Sequence, residues 1–93
     1  MSELNDTQAT LWTAMFLVAD PKNWLQNGAR RGRKQCALMA LLNAADGQNV
    51  DAEVDIFRDA VGMDIIEYND IPGRTHEQVM EAFAESIWLA GQQ

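Results

Sequence analysis

Cysteine, proline and histidine are nearly missing from this sequence: its 93 residues hold one cysteine, two prolines and one histidine. The lone Cys36 excludes an internal disulfide. With no cleavable signal pattern, it sets an expectation of a reducing, cytoplasmic compartment. No apolar run approaches the roughly 18 residues a membrane span requires; the longest, Cys36 to Leu42, is far shorter. One Cys, one His and no Asp/Asn-rich loop with glycine in sixth place exclude zinc and calcium sites, so no metal or other cofactor is expected. The stretch Gly28-Ala29-Arg30-Arg31-Gly32-Arg33-Lys34 lacks both the preceding strand and the following hydroxyl of a phosphate loop. Neither repeats nor low-complexity tracts occur, and each proline marks a turn, which makes residues 1–93 one domain with one core.

Positive charge is also scarce. Seven Lys and Arg face fourteen Asp and Glu, a net charge of -7, which opposes nucleic acid and anionic membrane as partners. Its distribution is uneven. Residues 1–45 carry five cations against three carboxylates, a balance of +2, whereas residues 46–93 carry two against eleven, or -9.

What the chain does have is apolar bulk. It is 47% hydrophobic, with three Trp, three Phe and five Met, enough for a core without disulfide or metal staples. The patterning predicts a mainly α, compact four-helix domain with a short β-strand or small β-hairpin, helical over about half its length. The first helix runs from about Asp6 to Ala19, capped by Asn5 or Asp6, with Leu11, Met15 and Val18 beside Trp12, Phe16 and Ala19 on a broad apolar face. Asp20-Pro21 stops it. Asn23 to Lys34 reads as a loop or short hairpin anchored by Trp24. The second helix, about Gln35 to Ala45, is apolar nearly all round and is expected to be central, with Gly47 as its left-handed stop. In the third, Asp51 is the expected N-cap, Val50, Val54, Phe57 and Val61 form a stripe, and Gly62 ends it. Ile65-Ile66-Glu67-Tyr68 reads as a short strand. Pro72-Gly73 sits at the centre of a type II turn leading to Thr75, which forms a capping box with Gln78. The last helix, His76 to about Ala90, sets Val79, Met80, Phe83, Ile87 and Trp88 against the core.

The string Asn69-Asp70-Ile71-Pro72-Gly73-Arg74-Thr75-His76-Glu77-Gln78-Val79 resembles the C-terminal signature of an uncharacterised family of small bacterial and phage proteins. Trp24, Gly28 and Cys36-Ala37-Leu38 are similar to its middle section. Met39-Ala40 departs from the Gly-Ala pair expected after the cysteine-bearing turn. The resemblance implies no activity.

Three constellations are candidates for function. Cys36, His76 and Asn69 or Asp70 are the residue types of a nucleophile, its base and an orienting group, and a helix N-terminus favours the thiolate such chemistry needs. The plainer reading makes Cys36 a buried packing residue, with His76 a neutral imidazole bonded to the Asn69–Gly73 turn. Arg30, Arg31, Arg33 and Lys34 form an anion-binding candidate, or else pair with the chain's own carboxylates. Finally, Asp51, Asp55 and Asp59 recur every four residues on the third helix, as do Glu77, Glu81 and Glu85 on the last. Like charges at that spacing cost a helix about 0.2–0.5 kcal/mol per pair unless a cationic surface meets them.

These features favour a small acidic, non-enzymatic protein whose two ridges bind a basic surface on a protein partner. By analogy with small acidic phage proteins that inhibit host defence complexes, anti-CRISPR proteins among them, it is expected to be a phage or bacterial accessory protein. Its target is then a nucleic-acid-handling or defence complex in the host cytoplasm. The alternative is a minimal hydrolase or transferase using Cys36 and His76, with Asp70 as orienting group. A homodimer joined through Trp88 and the two unlike-charged halves is a third expectation.

Overall fold

The computed structural model describes residues 3–92. Counting one 3-10 turn, helix takes up 62% of the described residues, with α-helices α1 (Asp6–Leu17), α2 (Ala37–Ala45), α3 (Asp51–Val61), α4 (Ile65–Asp70) and α5 (His76–Ala90). Between α1 and α2 come a 3-10 turn at Pro21–Asn23 and a small antiparallel hairpin, β1 (Arg30–Arg31) and β2 (Lys34–Gln35). Arg30 lies opposite Gln35 and Arg31 opposite Lys34. A mainly helical fold with a minor hairpin is what the patterning predicts.

Local side chains set the helix ends. Asn5 caps α1: its Oδ1 accepts from Gln8 N at 2.8 Å, while Gln8 Oε1 accepts from Asn5 N at 3.0 Å. The helix ends at Leu17, two residues short of the predicted Ala19. Asp20 then accepts from Lys22 N and starts the proline turn. Helix α2 begins at Ala37 rather than Gln35, because Gln35 is drawn into the hairpin and Cys36 takes the cap. Its left-handed exit begins at Asp46 (φ 47°), one residue before the predicted Gly47 (φ 88°). Asp51 is not the N-cap of α3. Val50 holds that position, and Asn49 Oδ1 accepts from Asp51 N at 2.8 Å.

The one error of element type is Ile65–Tyr68, which is helical. Asp64 caps it by accepting from Ile66 N at 2.9 Å. Only Ile65 of the apolar pair is buried, Ile66 being 49% exposed. Among the described residues no strand lies beside this segment to complete a ladder, so β-branched composition loses to a local cap.

Helix α1 packs on both α2 and α5, and α5 packs on α3. Leu11, Ala14 and Val18 of α1 are buried with Ala37, Ala40 and Leu41 of α2 and with Val79, Ala82 and Phe83 of α5. Phe57 sits edge-on to both Phe83 (centroids 5.4 Å apart) and Tyr68 (5.6 Å). Each such fully buried side chain contributes about 1.5–3 kcal/mol. The broad apolar face predicted for the first helix is not all used. Trp12 and Phe16 stack on each other at 5.9 Å in solvent, and Trp88 of α5 is 60% exposed rather than turned to the core. A helix buries one stripe against its neighbours, and α1 and α5 carry more apolar residues than that stripe holds. Among the described residues, no helix is long and apolar enough to cross a membrane.

Candidate functional site

Asn69, at the end of α4, is fully buried and makes four hydrogen bonds. Its Oδ1 accepts from Trp24 Nε1 at 2.7 Å and from Ala37 N, the first amide of α2, at 3.0 Å. Its Nδ2 donates to Leu25 O at 2.9 Å and to Asp70 Oδ1 at 2.8 Å. Asp70 Oδ1 also accepts from Asn27 N, holding Asn27 in a left-handed conformation at φ 61°. Gln26 Nε2 donates to the carbonyls of Asn69 and Ile71. The loop after the proline turn is thereby stitched to α4 and to the start of α2.

The rest of the string folds on the same logic. Arg74 N donates to Ile71 O at 3.0 Å, and Gly73 takes φ 86°, the residue type the second central position of a type II turn requires. The Arg74 guanidinium lies 3.6 Å over the Tyr68 ring, and its Nε donates to Tyr68 O. Thr75 and Gln78 form the expected reciprocal capping box. His76 bonds the end of α1, not the Asn69–Gly73 turn: Nε2 donates to Val18 O at 2.8 Å, with the ring 6.1 Å from that of Trp24. Each polar side chain from Asn69 to His76 therefore makes a bond that joins segments or ends a helix.

Cys36 caps α2, its Sγ accepting from Met39 N at 3.4 Å while its own N–H donates to Ala29 O. It lines a mostly apolar cleft of about 260 Å³ with Gly28, Leu38, Leu42, Ile66 and Asp70. His76 does not line that cleft, and among the described residues no hydrogen bond joins it to Cys36. The fold thus brings Cys36 to Asp70 but leaves the expected base occupied at α1. No group of three or more His, Cys, Asp or Glu among the described residues is placed to hold a metal ion.

The charged candidates remain apart. Arg30, Arg31, Arg33 and Lys34 are all exposed on the hairpin. Arg30 and Arg33 border an open cleft of about 380 Å³ with Asn23, Gln35 and Asn43, a setting where two guanidinium groups can share an anion. All six ridge carboxylates, Asp51, Asp55, Asp59, Glu77, Glu81 and Glu85, are exposed. Among the described residues the ion pairs are Arg58 with Asp55 at 3.8 Å and with Asp64 at 3.9 Å. The hairpin cations pair with neither ridge.

A family model for a family of unknown function, DUF6197, matches residues 3–87. The chain belongs to that family. No curated protein and no solved structure matches it. The DUF6197 match spans the hairpin, the Asn69 hub, both acidic ridges and all but the last turn of α5. Two features of this DUF6197 chain escape a reading by residue type: the hub role of Asn69, and Glu53, a carboxylate only 6% exposed. Spacing alone marks Glu53, since Val50, Ile56 and Phe57 stand three or four positions away and all three are buried.

Proposed function

We propose that this DUF6197 protein is a non-enzymatic interaction protein whose acidic helical faces dock on a basic surface of a protein partner. The observation that carries the reading is that five of the six ridge carboxylates have no cation within ion-pair distance among the described residues, and the sixth, Asp55, shares Arg58 at 3.8 Å. Stacking like charges at i, i+4 works against each helix, and a cationic partner turns that repulsion into attraction and faster encounter. Further support is the commitment of His76 to Val18 O, which leaves the alternative of a Cys36–His76 enzyme without its base. By analogy with small acidic phage inhibitors such as anti-CRISPR proteins, the partner is a nucleic-acid-handling or defence complex met in the bacterial cytoplasm, and the signature from Asn69 to Val79 marks a phage or bacterial lineage.

The test is affinity capture of the tagged protein from host lysate at low and moderate salt, beside a variant with all six ridge residues changed to Lys. A stoichiometric partner released by salt and absent from the variant is expected. Equal capture by the variant would overturn the reading.

A further inference from the structure

Among the described residues four polar side chains are buried: Gln35, Glu53, Asn69 and Ser86. Gln35 accepts from Asn43, Asn69 makes four bonds and Ser86 donates to Ala82 O. Glu53 makes no side-chain hydrogen bond among the described residues, and its Oε1 is buried. It is the third residue of α3, the place from which a carboxylate ordinarily bonds back to the cap amide, yet no side-chain bond forms at this cap. A buried carboxylate oxygen left without a donor is among the more costly arrangements a fold can carry.

Glu53 lines a cleft of about 470 Å³ bounded by Asp6, Ala9 and Thr10 of α1 and by Ala44 and Ala45 of α2. Thr10 cannot serve as its donor while its hydroxyl is turned to Asp6 O at 3.1 Å. The carbonyl end of α2 opens on the same side, and the last turn of that helix has no basic residue. Two carboxylates, each in the first turn of its own helix, line the cleft beside the carbonyl end of α2 and the neutral amides Gln48 and Asn49; among the described residues no Lys or Arg lines it, and three alanines form its apolar wall. The complement is a group with an apolar stem, a positive head and several N–H donors, which describes an arginine side chain. Its planar fork can satisfy both oxygens of one carboxylate at once, as a lysine ammonium cannot.

We propose that this cleft receives a single arginine side chain projecting from the basic surface of the protein partner, with Glu53 as its bidentate acceptor and Asp6 at the rim. The proposal rests on the docking reading above but concerns a different face, since Glu53 belongs to neither ridge.

The experiment is an amide-resolved NMR titration of the full chain with N-acetyl-arginine amide, and with the citrulline analogue as a neutral control of the same shape. Saturable shifts at Thr10, Ala45 and Glu53, on the order of 1 mM in affinity, are expected with arginine and absent with citrulline. Glu53→Gln should weaken binding by about tenfold or more, and Ala9→Met, which fills the cleft without changing charge, should abolish it. Shifts confined to the ridge amides, or equal binding by both variants, would overturn the proposal. Capture from lysate separates the two ideas. Partner retention by Glu53→Gln and Ala9→Met, with loss on ridge reversal, sinks the cleft alone, whereas retention after ridge reversal sinks the ridge reading.

Discussion

Replacing Asn69 by Ala should cost this fold more than any change at its surface. The substitution removes an acceptor from Trp24 Nε1 and from Ala37 N, and a donor from Leu25 O and Asp70 Oδ1. Asp70 keeps the Asn27 amide and part of its access to water, so its loss is small. The Ala37 amide is left in the interior and the indole N–H of half-buried Trp24 loses its acceptor, each orphaned group costing about 1–3 kcal/mol. Adding the carbonyl of Leu25 at the lower end of that range gives a total of about 3–7 kcal/mol, before any cavity cost. A domain of this length is stable by about 5–14 kcal/mol in all. At about 4–8 °C per kcal/mol, the midpoint should fall by at least about 12 °C. Thermal melts by circular dichroism, with urea titration for the free energy, measure it directly. A loss below about 1 kcal/mol would show that the hub bonds are replaced by water at no cost, and the argument from Asn69 would fail. Asn69→Asp is the companion variant: it keeps the shape and the acceptor but loses both Nδ2 donors and sets a carboxylate beside Asp70 Oδ1. It should melt well below the wild type at neutral pH.

Phe57→Ala removes the ring that meets both Tyr68 and Phe83 and should destabilise the fold by about 3–5 kcal/mol in urea titration. A loss under 1 kcal/mol would mean that the core closes without it. Glu81→Gln removes the middle carboxylate of the α5 ridge and two like-charge contacts, so stability should rise by about 0.4–1 kcal/mol. That gain should shrink as salt screens the repulsion, and a loss of stability would indicate that Glu81 has an internal partner. Cys36, 9% exposed and receiving the Met39 amide, should react with a disulfide reagent far more slowly in the native protein than in urea. Equal rates would revive thiol chemistry at this site.

Much of the fold is legible in the sequence because its helix boundaries are written in local residues. Thr75 with Gln78, Pro72-Gly73 and Gly62 act within a turn of the chain, and each lies where spacing predicts. The misreadings of element type involve partners outside the window, whereas the Asn49 bond to Asp51 and the exit of α2 at Asp46 are local. Ile65–Tyr68 has strand composition but no strand to pair with, and Gln35 has helix propensity but is claimed by the hairpin. The functional candidates divide in the same way. Ridge exposure follows from the i, i+4 spacing of Asp51, Asp55 and Asp59. The occupation of His76 by Val18 depends on how α5 meets α1, 58 residues away in sequence. Glu53 is one of the eleven carboxylates of residues 46–93 by type, and only its place between buried Val50, Ile56 and Phe57 sets it apart.

The Asn69 hub also bears on time. Its bonds to Ala37, Leu25 and Trp24 close separations of 32, 44 and 45 residues, and contacts across such loops form after their chain entropy has been spent. Interactions absent from the folding transition state leave the folding rate nearly unchanged and slow unfolding instead. The hub therefore bears on how long a folded molecule lasts before it opens, more than on how fast it forms.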